Sequence, residues 1–231
     1  MKKVFLVILI FTSILSYGQR KRVLNTPKYD LDVVHFGFTI GLNSMDFDIY
    51  NHRHINTFDS VFAVNNVRQA GFSLGIVSNL RLMPYLDLRF LPGIAFGQRN
   101  VEFLVRKDDH FFKKTMKIES TFLEFPLLLK YKAKRLNNYR PYLIGGLDYR
   151  IDLAARKELK DEEKPMLLLE RHDIYYELGF GVDYYLPYFK FSTEIKYAVG
   201  IQNVLRHDAT EFSRAIERMV SNMVVVSFHF E

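Results

Sequence analysis

The sequence predicts an all-β fold: a single antiparallel up-and-down transmembrane β-barrel of about eight strands, with short periplasmic turns and long extracellular loops. Three observations point there. Long windows alternate bulky apolar residues with polar or tiny ones at period two, the mark of strands with two unlike faces. Short and long connections between the windows take turns. The apolar face is almost free of charge, whereas the opposite face mixes glycines with charges of both signs.

The first window is Val34 to Asn43, where Val34, Phe36, Phe38, Ile40 and Leu42 alternate with His35, Gly37, Thr39, Gly41 and Asn43. Ala70 to Leu82 sets Phe72, Leu74, Ile76, Leu80 and Leu82 against Gly71, Ser73, Gly75, Asn79 and Arg81. Leu86, Leu88, Phe90, Ile94 and Phe96 then oppose Asp87, Arg89, Gly93, Ala95 and Gly97. Thr121 to Tyr131 carries Leu123, Phe125, Leu127, Leu129 and Tyr131 against Glu124 and Lys130. In Tyr139 to Leu153, Leu143, Leu147, Tyr149 and Ile151 face away from Arg140, Asp148, Arg150 and Asp152. Ile174 to Leu186 and Phe189 to Val199 repeat the division, and Val220 to Phe230 does so with Val225 out of step. Met83-Pro84, Lys132 to Asn138 and Leu186-Pro187 are the short turns. Residues 44–69, 98–116, 154–172 and 200–219 are expected as long polar loops.

Met1, Lys2 and Lys3 precede an apolar run from Val4 to Leu15, and Ser16-Tyr17-Gly18 puts small residues at the cleavage-site positions before Gln19. Residues 1–18 are expected to be a signal peptide, 19–32 a periplasmic stretch and 33–231 the barrel. The run is shorter than the ~20 residues a membrane-spanning helix needs. A membrane form of the remaining chain must therefore be a barrel. Without Lys2 and Lys3 the formal charge falls from +6 to +4, a diffuse surplus that gives nucleic-acid binding no support. With no cysteine, disulfide scaffolds and thiolate metal sites are excluded.

Alternation alone fits both a membrane barrel, apolar outside, and a soluble barrel, apolar inside. Three features favour the first. A cramped interior needs small residues and mutually neutralising charges, whereas a solvated exterior has no need of glycine. Tyrosines on the apolar face sit at two levels, Tyr131, Tyr139 and Tyr184 beside the short turns and Tyr149, Tyr176 and Tyr197 about 8 to 10 residues away. At about 3.3 Å per residue and a tilt near 40°, the levels are roughly 20 to 25 Å apart, as aromatic girdles require. Finally, one register of the hairpin around Leu186-Pro187 opposes Asp183 to Lys190, Glu177 to Lys196 and Tyr176 to Tyr197. The preceding hairpin likewise opposes Arg81 to Asp87.

An interior of this size is filled by side chains, so no open channel is expected. Asp87, Arg89, Glu124, Lys130, Asp148, Arg150, Glu177, Asp183, Lys190, Glu194 and Lys196 form the expected interior charge network, a structural rather than catalytic set.

The segments HFGFTIGLNSMDF (His35 to Phe47), FLEFPLLLKYK (Phe122 to Lys132), YRPYLIGGLDY (Tyr139 to Tyr149) and YELGFGVDYY (Tyr176 to Tyr185) resemble the small outer-membrane barrels of Bacteroidetes. Among these, the first segment is most similar to the PorT (SprT) family of the type IX secretion system. The resemblance implies a role in protein export across the outer membrane, and in gliding motility where the organism glides. It also implies outer-membrane lipid and other protein components of a secretion machine as partners. One departure is that Phe230, the aromatic expected to end such a barrel, is followed by Glu231.

Catalytic chemistry finds little footing. His52 and His54 form His-x-His in a charged loop without a carboxylate cage, and Asp108, Asp109 and His110 read as loop polarity. His35 and His229 fall on the interior faces of the first and last windows, where a polar contact between them is expected if the barrel closes. Ser73, Ser192 and Ser227 lack the context of an activated nucleophile. The glycines recur every second residue and so form no phosphate cradle. No catalytic residue, metal site, cofactor or small-molecule substrate is assigned. A free-standing structural or adhesive barrel is the alternative to the export role, and a lipid-modifying enzyme the third reading. In the last loop, Phe212, Ile216 and Met219 fall at helical spacing with Asp208 or Thr210 as cap, which predicts a short helix at the barrel rim.

Overall fold

The computed structural model describes residues 23–51, 61–107, 110–155, 167–207 and 210–231. The signal-peptide reading, His52, His54, Asp108, Asp109 and Asp208 lie outside these. The strands are β1 (Val34–Asn51), β2 (Val61–Met83), β3 (Leu86–Phe90), β4 (Gly93–Lys107), β5 (His110–Lys132) and β6 (Tyr139–Asp152). They continue with β7 (Leu168–Leu169), β8 (His172–Tyr185), β9 (Lys190–Gly200), β10 (Leu205–Arg206) and β11 (Ile216–Phe230). A four-residue helix, α1 (Glu211–Arg214), precedes β11, and a 3-10 turn (Tyr29–Leu31) precedes β1.

Every pairing is antiparallel, and β1 pairs with both β2 and β11, which closes the ring. β3 and β4 are one stave interrupted at Leu91-Pro92. Pro92 cannot donate to a ladder, so its carbonyl instead accepts from the Ile76 N–H, while the Leu91 N–H crosses to the Pro126 carbonyl. The ring β1, β2, β3/β4, β5, β6, β8, β9, β11 therefore has eight staves. The eight windows of the sequence are these staves.

Their faces settle the sidedness. In the lower part of the barrel, Phe36 is 69% exposed and Leu178 63% exposed, whereas Arg89 and Lys130 are 0% exposed. Large apolar side chains thus cover the outside and charges line the inside, as only a lipid-facing wall demands. No helix among the described residues is long and apolar enough to cross a membrane, so the crossing is made by strands.

Higher up, the code reverses within the same strands. Along β1, Leu42 is exposed, but Asp46 and Asp48 then take the outer positions while Met45 and Phe47 are buried inside. Along β4, Val101, Phe103 and Val105 are buried behind outward Asn100 and Glu102. On β5, Ile118 is buried between outward Lys117 and Glu119. The lower storey is a lipid-facing barrel with a polar lumen; the upper one has a polar exterior and an apolar core. That core joins Phe47, Val61, Val64, Val101, Phe103 and Ile118 to Leu167, Val204, Leu205, Ile216 and Met219.

The upper storey corrects three loop expectations. Residues 44–69 and 98–116 are mostly strand, with β2 and β5 each 23 residues long, and β11 starts at Ile216 inside the expected 200–219 loop. The rim helix is also shorter than expected, because Ile216 and Met219 belong to β11. A bulge opposite Tyr50 and Asn51 changes the side-chain parity between them, so both point inward with the three-residue spacing that reads as helical. Thr210 does cap α1, accepting the Ser213 N–H at 3.3 Å.

Candidate functional site

Inward glycines make the lumen habitable for large polar groups. A methyl carbon at Gly181 would lie 2.5 Å from the Tyr142 hydroxyl, and one at Gly97 would lie 2.5 Å from the Met45 sulfur. The small residues on the inner face therefore set where the long side chains can cross.

In the middle of the lumen Arg150 is held by three carboxylates, with Nε 2.5 Å from Asp148 and 3.2 Å from Glu124, and Nη2 2.7 Å from Glu177. Lys196 donates to the other Glu177 oxygen at 2.8 Å. Glu194 receives the Tyr142 hydroxyl at 2.8 Å and has His229 Nε2 at 3.4 Å and Arg89 at 3.7 Å. One level down, Lys130 donates to Asp183 at 2.7 Å and Lys132 reaches Asp87 at 2.6 Å. Buried charges are tolerated only when paired and hydrogen-bonded in this way.

The end of the lumen beside the short turns is closed by the segment before β1. The Tyr29 ring stacks on His35 with centroids 3.9 Å apart, and its hydroxyl donates to Glu231 at 3.2 Å. Burial, with Glu231 beside it, holds that phenol protonated far above the usual tyrosine range. Asp30 accepts from Arg140 at 3.0 Å and from the Tyr185 hydroxyl at 2.9 Å, and lies 3.5 Å from Arg135. Arg81 donates to the Asp30 carbonyl. Glu231 itself bridges Arg89 at 2.7 Å and Lys190 at 2.9 Å.

Above the network, Arg99 lies over the Phe47 ring at 3.9 Å, donates to Ser221 at 2.6 Å and to Ser120, and has Asp152 at 3.8 Å. Spaces of about 30 Å³ beside Glu124, Arg150 and His229, and about 10 Å³ beside Tyr29 and Asp87, remain between these groups. They are the size of single water molecules. Side chains fill the lumen, and among the described residues no three His, Asp or Glu side chains gather as metal ligands.

The sequence matches the model of the outer membrane protein β-barrel domain over residues 19–206, most of the chain. The chain belongs to this family. Solved barrels similar to it include the neisserial surface protein NspA, with a TM-score of 0.45 and 11% identity over 86% of this chain and 98% of that one. OprG from Pseudomonas aeruginosa gives a TM-score of 0.42 at 14% identity over 86% and 91%. The attachment invasion protein Ail of Yersinia pestis gives 0.38 at 11% identity over 86% and 98%. No curated protein matches the sequence. Membership places the barrel in the outer membrane, in contact with its lipid.

For this family member, the expected interior residues all lie on the inner face, but several pairings differ from those read in sequence. The β8–β9 register is two residues away from the expected one. Leu186 and Phe189 close the turn, leaving Pro187 and Tyr188 at its tip, so Asp183 opposes Ser192, Glu177 opposes Ala198 and Tyr176 opposes Val199. The shift preserves the faces. Glu177 and Lys196 still meet, diagonally, whereas Asp183 takes Lys130 and Lys190 takes Glu231. Arg81 does oppose Asp87 in register, yet their side chains go to Asp30 and Lys132 respectively. His35 and His229 do not meet, because Thr39 is the partner of His229 across the β1–β11 seam.

The six tyrosines lie on the outer face. Tyr139 and Tyr184 are direct cross-strand partners near the short turns, with Tyr131 on β5, while the Tyr149 hydroxyl bonds with His172 Nδ1 at 2.8 Å; Tyr176 and Tyr197 follow on the next two staves, β8 and β9. Sequence reasoning missed Arg99, hidden in a segment read as loop, and Tyr29, Asp30 and Glu231, which no strand pattern includes. Lys132 and Arg140 were within reach, since each continues the charged parity of its strand.

Proposed function

We propose that the protein is a non-enzymatic component of a protein-export machine of the type IX kind, exported by its signal peptide and acting through contacts with other proteins. The resemblance of His35 to Phe47 and the later segments to the PorT family supports the export role and, where the organism glides, a part in gliding. One observation carries the non-enzymatic reading: the lumen is packed with opposite charges set against one another, as with Arg150 among Asp148, Glu124 and Glu177. Charges spent on one another in this way are ill placed to bind a substrate, and the packed side chains obstruct a path for cargo. The work then falls to the surfaces, and the strands of the upper storey supply a rigid one above the lipid.

Deleting the gene and comparing the secreted proteins tests the reading. Loss of many exported proteins at once, restored by the full chain, is expected. Normal export would instead leave a free-standing structural or adhesive barrel, and altered membrane lipid with normal export would point to a lipid-modifying enzyme.

A further inference from the structure

The upper half of β5 is paired on one edge only. His110 to Glu124 run beside β4 without interruption, from Lys107↔His110 to Gly93↔Glu124. On the other edge β6 departs at Phe122↔Asp152, and the last backbone bond is from the Leu153 N–H to the Thr121 carbonyl. Among the described residues no strand covers the edge above that point. Since hydrogen-bonding groups alternate sides along a strand, the N–H and C=O of Phe111, Lys113, Thr115, Lys117 and Glu119 face this opening. That row is roughly 25 to 30 Å long at about 3.3 Å per residue.

Three further features sit along it. An open pocket of about 320 Å³ adjoins the lower end, its floor formed by Met116, Ile118, Ala154 and Leu167 to Leu169 and its rim carrying Lys117, Glu119 and Asp152. Phe111 and Phe112 at the tip are 57% and 43% exposed. Lys117 projects outward along the edge beside Glu119, and Lys113 projects outward while also contacting Glu102 of β4 at 3.3 Å. Lysines on a free edge discourage pairing between two copies of the chain, which would set like charges against each other. They favour an acidic strand.

We propose that this edge receives an extended, acidic segment of a partner protein as an added strand, with one apolar side chain of that segment in the pocket beside Met116 and Ile118. The proposal rests on, and deepens, the reading of the barrel as a contact component of an export machine. Backbone bonds supply affinity in such pairing, and the pocket and lysines supply selection.

The test is made in cells, in the intact outer membrane, with a photo-cross-linking amino acid in place of Lys117. An adduct is expected whose cross-linked peptide in the partner is acidic and extended. Its yield should fall at least tenfold on Thr115→Pro, which removes an open-edge donor but none used by β4, and likewise on Lys113→Glu, which loses within the barrel only an exposed ion pair to Glu102. The shift in gel mobility on heating, which reports a folded barrel, should stay unchanged in Lys113→Glu. An adduct confined to residues 156–166 of the same chain, the absence of any adduct, or a yield indifferent to both substitutions would overturn the proposal. Loss of the adduct in Thr115→Pro with normal cargo export leaves the strand addition standing and overturns the export reading. Impaired export in the deletion strain without any adduct does the reverse.

Discussion

Arg89 on β3 donates to Glu231 just beyond β11 across 2.7 Å, with both side chains fully buried at the foot of the lumen. The pair joins staves that are distant in sequence, and Lys190 shares the same carboxylate from β9. Glu231 is thus the acidic keystone of the lumen's foot.

Removing that carboxylate leaves Arg89 and Lys190 short of a partner. Glu231→Ala is expected to destabilise the barrel by about 3 to 5 kcal/mol, the usual cost of orphaning a buried charge. Arg89 retains Glu194 at 3.7 Å, which places the loss toward the lower figure. Urea unfolding in detergent micelles measures it, and an unchanged midpoint would count against the network as described.

Asp30 ties the segment before β1 to Arg140, Arg135 and Tyr185. In Asp30→Ala, hydrogen exchange of the Tyr29 and Leu31 amides, which bond to Thr26 and Lys28, should rise on the order of tenfold while the strands stay protected. Equal acceleration throughout the strands would mean that the segment is integral to the barrel rather than a closure added to it.

The two storeys respond oppositely to charge on the outer face. Leu178→Arg, in the lipid band, should cost about 2 to 4 kcal/mol of stability in bilayers. Lys117→Glu, in the upper storey, should change it by less than about 0.5 kcal/mol. Unfolding both in lipid vesicles checks the pair; similar costs at the two sites would contradict the boundary between them.

Phe103 anchors the upper core and meets Phe212 of α1 at 4.9 Å between ring centres. Phe103→Ala should cost about 3 to 5 kcal/mol there. Because the lower storey has its own network, the loss should show as faster hydrogen exchange in 99–120 and 204–220, with the heat-dependent gel shift retained. Complete failure to fold would show the storeys to be one cooperative unit.

The lower storey was legible because a lipid face tolerates almost no charge, so Phe36, Phe38 and Ile40 stand out against His35, Gly37 and Thr39. The upper storey was not, for the same reason in reverse. Outer residues such as Asp46, Asp48, Lys117 and Glu119 look like loop when the expected strand must be greasy outside. Val225 read as a flaw in the last window, yet it points inward and packs with Met45, Phe122 and Met223 where the lumen turns apolar. Arg99 was lost with the segment that contains it. The ion pairs were legible as a set but not as partners, because long side chains reach diagonally across a narrow lumen and a two-residue shift at Pro187-Tyr188 keeps every face while changing every neighbour.

The reversal of faces part-way along β1, β4 and β5 also bears on assembly. A stave that slid by one position against its neighbour would push lysines and aspartates into acyl chains below and, by the same slip, turn Phe47 or Phe103 out into water above. Each misalignment is punished twice, at two heights and by two solvents. A chain written this way carries its own proofreading, so that even its long staves have one alignment in which neither end is wrong.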